Sequence, residues 1–395
     1  MHPDMSQRTR KEVLERLRRS YRRAKTVLEK TVLLDQAMSL LGYHRKAAIR
    51  ALRGRAARPD PGRVLAIGGR PREYQAAQLL PVLKPIWLTA QQPCGPRLKA
   101  ALRDWVPAYE AHYRRLESGL RETLLRASAA TLDRLLAPLR AAHRRSVGGT
   151  RPGSLLRQQI PIAGVAWQQE KAGYLEVDTV ALCGGSLEGD HLWMLDGTDY
   201  ATAWVEVRAQ WNRGQHATLR GLADIRAALP FDLLGLDADN GGEFLNWHVI
   251  QWCRQGPRPI ELTRSRPYHK NDNAHVEQKN WTHVRQWFGY ERYDKEELVE
   301  LINILTRGAL GQLQNFFAPT LKLQEKKRDE RGRVRRVYGE ACTPYDRVLA
   351  SAQVTPEKKE ELRALKATLN PFVLQSQVER QLKAIEKLRR RGLKR

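Results

Sequence analysis

The feature that most restricts the fold of this chain is the order of the elements predicted between positions 174 and 288. Apolar and polar residues first form three short strand-like segments, a pattern typical of an antiparallel meander. Segments of helical periodicity then alternate with short apolar segments. The predicted strands are 174–182, 191–195, 203–207, 233–236 and 260–262, and the predicted helices are 215–229, 244–254 and about 274–288. This order predicts an α/β domain with a mixed five-stranded sheet and helices.

The first 145 residues are instead predicted to be nearly all helical, because leucine, alanine, arginine and lysine dominate them and strand-like alternation is absent. One helix ends at Gly42 and another begins, and a short glycine turn between two helices is typical of a helix-turn-helix. The apolar residues that share a face within each helix are Leu34, Ala37 and Leu41, then Ala48 and Leu52. The residues that the second helix would present to DNA are His44, Arg45, Lys46 and Arg50. An ordinary helical hairpin is the alternative.

A second segment, 123–136, repeats this pattern and has the same alternative. Ser128 can cap the helix that follows, which carries Arg134 and Arg140, and we predict that Arg134 contacts DNA. A stretch rich in glycine, proline and arginine then indicates a linker. The domains expected from these patterns are two helical DNA-binding domains at 1–58 and 59–146, a basic linker at 147–168, the α/β domain at 169–318 and a basic C-terminal region at 319–395.

The charge of the chain indicates a polyanionic partner. Lysine and arginine number 69 against 43 aspartates and glutamates, and the formal net charge is +26. Nucleic acid is the expected partner, since each neutralised phosphate releases counterions; a ribosomal or merely basic protein is the alternative. The basic stretch 326–336 is predicted to be either a hairpin or a disordered loop, and 383–395 a basic helix or a solvated tail.

Cysteine usage and hydropathy indicate the compartment. The four cysteines are scattered without a C-x-x-C pair, which argues against a disulfide framework or a zinc site and favours a reducing compartment. The N-terminus lacks the apolar segment of a signal peptide, and no apolar run reaches the roughly 18 residues of a membrane span. We therefore expect a cytoplasmic protein with no membrane partner.

Three acidic residues stand where metal-dependent chemistry needs them. Asp178 lies in the middle of the first strand, where a buried charge is costly unless something compensates it. Asp239 follows the fourth strand in an Asp-Asn-Gly-Gly turn, and ligand sites gather at the carboxyl ends of strands in α/β sheets. Asn273 can cap a helix that places Glu277 about one turn in, with Asn280 on nearly the same face. Together these residues form a candidate metal-binding triad.

Each acid has an alternative reading. Taken alone, Asp178 is also consistent with a structural buried acid. Glu277, taken alone, is consistent with a solvated helix residue. Asp237, two residues before Asp239 and on the same side of the strand, is the alternative ligand, although Asp239 is preferred because it adjoins the turn. Glu243 is expected to support the turn rather than to bind metal.

The three segments resemble the catalytic core of the DDE transposase and retroviral integrase superfamily, especially bacterial insertion-sequence transposases. The matching pieces are the strand aspartate, the Asp-Asn-Gly-x-Glu-Phe turn and the Asn-x-x-x-Glu helix, and the resemblance covers about residues 165–320. The interval from Asp239 to Glu277 is slightly longer than the family's commonest spacing, and the loop 264–272 absorbs the difference. The His-His-Cys-Cys zinc module of retroviral integrases is absent. The resemblance implies a ribonuclease H-like catalytic core, preceded by an all-α helix-turn-helix region.

The resemblance also implies a chemistry. Asp178, Asp239 and Glu277 would hold two Mg²⁺ ions, for which Mn²⁺ can substitute, with Asp178 bridging both. The protein would cleave DNA strands and join the freed 3′-OH to target DNA. Its partners would be double-stranded DNA, both the terminal repeats of the element and the target, and further copies of itself in a homo-oligomer. In a bacterium it would be associated with the nucleoid.

Basic and aromatic residues surround the predicted site. The basic residues expected to contact phosphates there are Arg264, Arg266, Lys270, Lys279 and Arg285, of which Lys279 and Arg285 can equally face solvent. The aromatic residues expected in the core rather than in base stacking are Trp247, Trp252, Trp281, Trp287 and Phe288.

Three functions compete for this sequence. The first is an active transposase, and the second is a non-catalytic, sequence-specific DNA-binding protein such as a repressor or a domesticated transposase. The third is a structure-selective nuclease that never joins strands. The complete triad favours catalysis over the second, and the long N-terminal reading region favours the transposase over the third.

Overall fold

The computed structural model describes residues 5, 7–53, 73–142, 171–238, 242–244, 246–255, 258–264, 279–328 and 334–391. Within it the chain divides into two compact units, Met1–Arg72 and Glu73–Arg395. No helix in these ranges is long and apolar enough to cross a membrane.

The first unit contains three helices, α1 (Gln7–Arg23), α2 (Val27–Leu41) and α3 (Arg45–Arg53). A capping box begins α2, since the Thr26 hydroxyl accepts from the backbone N–H of Glu29 and the Glu29 carboxylate accepts from that of Thr26. Gly42 ends α2 in the left-handed region, at φ 67°. The predicted faces are confirmed, because the buried residues of α2 and α3 are Leu34, Ala37, Leu41, Ala48 and Leu52.

The second unit is built on the predicted five-stranded mixed sheet. Its strands are β1 (Tyr174–Ala181), β2 (Leu192–Asp199), β3 (Val205–Trp211), β4 (Gly235–Ala238) and β5 (Glu261–Arg264). They lie in the order β3-β2-β1-β4-β5. The first three strands pair antiparallel, and β4 pairs parallel with both β1 and β5. The prediction of a mixed sheet is confirmed.

Helices connect and cover these strands. Two of them, α8 (Gln215–Ala228) and α9 (Trp247–Arg254), flank β4 in the chain. After β5 comes α10, which is π-helical over Asn280–Arg285 and α-helical over Gln286–Phe288. Next come α11 (Leu298–Arg307) and α12 (Ala309–Phe317). The order of strands and helices predicted from periodicity is therefore present.

Two buried asparagines close the outer edge of the sheet. The side-chain amide of Asn303 in α11 exchanges two hydrogen bonds with the backbone of Ala209 in β3, at 2.7 and 3.0 Å. Asn315 in α12 does the same with Val205, at 3.0 and 2.8 Å. These amides satisfy buried backbone groups that an edge strand otherwise leaves exposed to further pairing.

Four N-terminal helices of the second unit share one hydrophobic cluster with the sheet. They are α4 (Ala76–Thr89), α5 (Gly95–His112), α6 (Ser118–Arg126) and α7 (Ala129–Ala142). The indole N–H of the buried Trp105 in α5 donates to the backbone carbonyl of Phe317, at 3.0 Å. The predicted cap by Ser128 is confirmed, because its hydroxyl accepts from the backbone N–H of Thr131, at 3.2 Å.

The C-terminal region forms a hairpin and three helices. Strands β6 (Leu323–Arg328) and β7 (Val334–Tyr338) pair antiparallel, so the basic stretch is a hairpin at its base. The helices are α13 (Pro344–Ala350), α14 (Pro356–Thr368) and α15 (Pro371–Arg390). The prediction of a terminal helix from Lys383 was too short, because α15 begins at Pro371, where Asn370 caps it. The apolar face of α15 packs into the core, and this packing stabilises helical turns that precede the basic segment.

Candidate active site

Four carboxylates share one face of the sheet around Asp178. Asp178 lies opposite Asp196 in the β1–β2 ladder, and Glu176 lies opposite Asp237 in the β1–β4 ladder. Residues paired across a ladder and residues two apart on one strand share a face. Glu176, Asp196 and Asp237 are buried, whereas Asp178 is only half-buried. Of these four carboxylates, Asp178 is therefore the most accessible to a ligand.

The helix α10 reaches Asp178 through Asn280. The side-chain N–H of Asn280 donates to Oδ2 of Asp178 at 2.6 Å, although 102 residues separate the two in the chain. The other oxygen, Oδ1, accepts from the backbone N–H of Thr179 at 2.7 Å. Asn280 opens the π-helical segment, and π-turns within helices are frequent at functional sites. The helical pattern predicted by sequence did not reveal this π-turn.

The other two members of the predicted triad, Asp239 and Glu277, lie outside the described residues, as do Arg266 and Lys270. Their chain neighbours are described. Ala238, which precedes Asp239, pairs with Val177, which precedes Asp178. Lys279, two residues after Glu277, is the first described residue of the next segment. Among the residues that the structure describes, no group of three or more His, Cys, Asp or Glu side chains is arranged to hold a metal ion.

Asp237, the alternative ligand, is occupied by neutral donors. Its Oδ2 accepts from the Tyr200 hydroxyl at 3.1 Å, and its Oδ1 accepts from the Thr263 hydroxyl at 2.9 Å. Only 4% of the residue is exposed. These contacts connect β4 to β5 and to the end of β2.

Glu243 ties the segment after the Asp-Asn-Gly-Gly turn to the sheet. Its buried carboxylate accepts from the hydroxyl of Thr179 at 3.1 Å and pairs with Arg213. Its backbone carbonyl accepts from the side chain of Asn246 at 2.7 Å, and Asn246 also caps α9. These contacts agree with the supporting role expected for Glu243.

Lys279, expected to grip a phosphate or to face solvent, is instead buried. Its ammonium donates to the backbone carbonyl of Ala203 at 3.4 Å, and only 9% of the residue is exposed. Burial lowers the pKa of Lys279 to about 7, although the negative charge of Asp196 opposes the shift. Burial likewise raises the pKa of Asp196 to about 7, and Lys279 opposes that shift. Lys279 therefore does not face solvent, because this side of the helix packs against the protein.

Arg285 lies at the surface but is engaged with the protein. It donates to the backbone carbonyls of Ala181, at 2.8 Å, and Gly289, at 3.2 Å. Its guanidinium lies over the ring of Tyr290, 4.8 Å from the centroid. Arg264 ends β5, and its side chain is outside the described part of the structure. The contact of Arg285 with DNA stays a prediction.

The aromatic residues near the site divide into two groups. Phe288 is buried, and Trp252 and Trp287 are partly buried against the core, as expected. Trp247 and Trp281 are exposed at 61% and 40%, so their predicted place in the core was wrong.

The predicted DNA-reading residues of the first unit are accessible. The predicted residues on or beside α3 all have exposed side chains: His44, Arg45, Lys46 and Arg50. Arg45 also pairs with Asp35 of α2 at 3.2 Å, and both partners are about half exposed. In the second unit, Arg134 donates to the Thr131 hydroxyl at 3.1 Å.

No protein-family model matches the chain. An uncharacterized protein, y4rM of Sinorhizobium fredii (strain NBRC 101917 / NGR234), is 36% identical over 337 residues, which cover 82% of this chain and 91% of y4rM.

Three solved structures that match part of the chain come from retroviral integrases, and each is 14% identical to it. The match to the HTLV-2 integrase catalytic core domain in complex with magnesium covers 38% of this chain and 91% of the HTLV-2 chain, with a TM-score of 0.28. The match to the simian T-cell lymphotropic virus intasome covers 55% of this chain and 72% of the intasome chain, with a TM-score of 0.32. The match to the catalytic core domain of BIV integrase covers 44% of this chain and 91% of the BIV chain, with a TM-score of 0.28.

Proposed function

This chain belongs to the family of the y4rM protein of Sinorhizobium fredii, and we propose that it is a DNA transposase of the DDE type. It binds the ends of an insertion sequence, cleaves DNA strands there and joins them to target DNA. Asp178, Asp239 and Glu277 are its catalytic carboxylates.

The observation that carries this proposal is the hydrogen bond from Asn280 to Asp178, at 2.6 Å. It brings the helix that follows Glu277 into contact with the strand that carries the first aspartate. The pairing of Ala238 with Val177 supports Asp239 as a further member, since an acid of the triad follows each of the two residues in the sequence. Distant segments that converge on one carboxylate favour a shared site over three unrelated acids.

The donor chemistry fits Mg²⁺. The triad offers only carboxylate oxygens, which Mg²⁺ prefers. The carboxyl groups of Glu176, Asp178, Asp196 and Asp237 also share one face of the sheet, and such a group of oxygen donors favours a cation. When bound by the triad, the metal would supply charge stabilisation to the attacking and leaving oxygens of phosphoryl transfer.

The chain's own residues would prepare that chemistry. Asn280 holds one oxygen of Asp178 and so fixes the orientation of the carboxylate. Glu243 and Thr179 anchor the segment that follows the turn with Asp239 to β1. Asp237 is satisfied by two hydroxyl donors, which supports Asp239 rather than Asp237 as the ligand.

The DNA-binding role is assigned to the helical regions and to the basic surface. The exposed basic residues of α3 would read or grip the element ends. Arg264, Arg266 and Lys270 would hold the phosphates next to the cleaved bond. Arg134 and Arg285 would add contacts. The net charge of +26 supports a long contact with DNA.

A strand-transfer assay tests the proposal. The protein is incubated with Mg²⁺ or Mn²⁺ and labelled DNA that carries the ends flanking its own gene. We expect cleavage at the ends and joined products, which disappear in Asp178→Asn, Asp239→Asn and Glu277→Gln while DNA binding persists. Full strand transfer by any of these variants would show that its residue is not a catalytic ligand.

The same assay separates the competing functions. Binding without cleavage in either metal would indicate a repressor or a domesticated relic. Cleavage without joined products, independent of the end sequence, would indicate a structure-selective nuclease. The convergence of Asn280 on Asp178 favours catalysis over the repressor, since a protein that only binds DNA needs no such site.

A further inference from the structure

Two exposed aromatic rings lie together on α10 and in the turn that follows it. Trp281 and Tyr290 are 40% and 50% exposed. Their ring centroids are 6.4 Å apart, and the ring planes are tilted by 42°. Exposed apolar side chains scattered singly are ordinary in folded proteins, whereas grouped ones indicate a surface that binds something. We call these two rings the aromatic surface, and the proposed chemistry does not use it.

A fixed positive charge adjoins the aromatic surface. The guanidinium of Arg285 lies over the ring of Tyr290, 4.8 Å from the centroid. Arg285 is also four residues after Trp281 in α10, so the two start from nearly the same side of the helix. Its hydrogen bonds to the carbonyls of Ala181 and Gly289 orient the guanidinium. Because both acceptors are neutral, these bonds do not cancel the charge of Arg285.

The aromatic surface also adjoins the residue that reaches Asp178. Asn280 immediately precedes Trp281 and donates to the Asp178 carboxylate at 2.6 Å. The other tryptophan of α10, Trp287, is engaged with the protein instead. Its indole N–H donates to the carbonyl of Thr282 at 3.0 Å, and its ring packs against the core. A DNA strand held at Asp178 would therefore have the exposed ring of Trp281 beside it.

An unpaired base is the ligand that matches these features. Every base has a π-face that stacks on an aromatic side chain, and a positive charge beside the ring attracts the phosphates of the same strand. A base within a duplex offers only its edges, so it reaches such a ring only after its pair has opened. A second copy of the chain is the other conceivable occupant, but the net charge of +26 opposes the approach of two copies.

We propose that Trp281 and Tyr290, with the guanidinium of Arg285, hold an unpaired base of the element end next to the phosphate that is cleaved. This inference rests on the proposed function and extends it to the form of DNA that is bound, an end whose base pairs have opened beside the cleaved bond. Trp281 supplies the stacking face, Tyr290 supports it, and Arg285 supplies the charge.

Two versions of one element end test the proposal. One duplex is fully paired, and in the other about three nucleotides beside the cleaved bond are left unpaired. Affinity is measured by fluorescence anisotropy without divalent metal, so that no DNA is cut. We expect the wild type to bind the unpaired version more tightly. Trp281→Ala should weaken that binding by about 5-fold to 150-fold, the usual effect of losing one base–aromatic stack, and change binding of the paired duplex by less than about threefold.

The matched control is Trp247→Ala, which removes another exposed tryptophan, on α9. The control should keep the wild-type preference for unpaired DNA, and Trp281→Phe should keep most of it because an aromatic face remains. Equal binding of both duplexes by the wild type, or an equal loss of preference in the control, would overturn the proposal.

Photo-crosslinking of the wild type gives a second measurement that does not depend on the folding of a variant. The DNA carries 5-iodouracil at one unpaired position, and the crosslinked peptide is identified by mass spectrometry. We expect the crosslink at Trp281 or Tyr290. Crosslinks confined to other residues would place the base elsewhere and overturn the proposal.

Failure of the proposed function has a different signature. If the wild type cuts no DNA in Mn²⁺ but loses its preference for unpaired DNA in Trp281→Ala, the base-binding site stands and the catalytic assignment fails. If the wild type cuts element ends but binds both duplexes equally, only the base-binding site fails. If Trp281→Ala reduces self-association in sedimentation and leaves DNA binding unchanged, the aromatic surface belongs to an interface between copies, and the proposal is wrong.

Discussion

Replacing Asn280 by alanine is the sharpest perturbation of the site that the structure offers. The change removes the N–H that donates to Asp178 Oδ2 at 2.6 Å and leaves the backbone of α10 in place. Because Asp178 is half-buried, water can replace the lost donor in the resting protein. We therefore expect the free energy of unfolding to fall by less than about 1 kcal/mol.

The effect on catalysis should be larger than the effect on stability. A hydrogen bond to a charged group contributes about 1.5–3 kcal/mol. If that contribution orients Asp178 in the transition state, its loss slows cleavage by about 10-fold to 150-fold, since each 1.36 kcal/mol corresponds to a factor of ten.

The assay is single-turnover cleavage of a labelled element end in Mn²⁺, with enzyme in excess, beside chemical denaturation of the same preparations. The matched control is Gln286→Ala, which removes another side-chain amide of α10, one that donates to Gln91 at 3.0 Å away from Asp178. We expect the control to cleave within about threefold of the wild type. A rate for Asn280→Ala equally close to the wild type, or an equal loss in Gln286→Ala, would refute the assigned role.

Three further predictions concern stability, thiol chemistry and DNA affinity. Asn303→Ala should lower the free energy of unfolding in urea by about 1–3 kcal/mol, because it leaves buried backbone groups of β3 unsatisfied; a smaller loss would mean that the edge needs no such amide. Burial raises the pKa of Cys253 to about 11, so at pH 8 about one thiol in a thousand is ionised; alkylation should label the exposed Cys94 and reach Cys253 only on unfolding, and equal rates would contradict its burial. Lys46→Ala combined with Arg50→Ala on α3 should weaken binding to element ends and reduce the salt dependence of log K by up to about two, and an unchanged slope in a salt titration would remove α3 from the DNA interface.

The predictions that the structure confirms depend on residues close together in the sequence. The strands and helices follow from periodicity, which is a property of consecutive residues, and so the mixed sheet and the α2–α3 faces were predicted correctly. The Ser128 cap also follows from a short segment, since it joins residues three apart. The DNA contacts of α3 and the two catalytic acids outside the described residues stay predictions.

The predictions that were wrong depend instead on contacts between residues far apart in the sequence. Lys279 was expected at the surface because lysine side chains are usually solvated. Trp247 and Trp281 were expected in the core because tryptophan side chains are usually buried. Which face of α10 turns inward depends on the elements packed around it, and no local pattern contains that information.

By itself, therefore, the sequence determined the order of elements and the positions of the acids along them, since backbone preference and polar–apolar spacing act over a few residues. Only the tertiary structure decided which side chains meet. The contact of Asn280 with Asp178 and that of Lys279 with Ala203 join segments that are 102 and 76 residues apart in the chain. Such contacts arise from the packing of the sheet against its helices, where the desolvation of each charge depends on every neighbour at once.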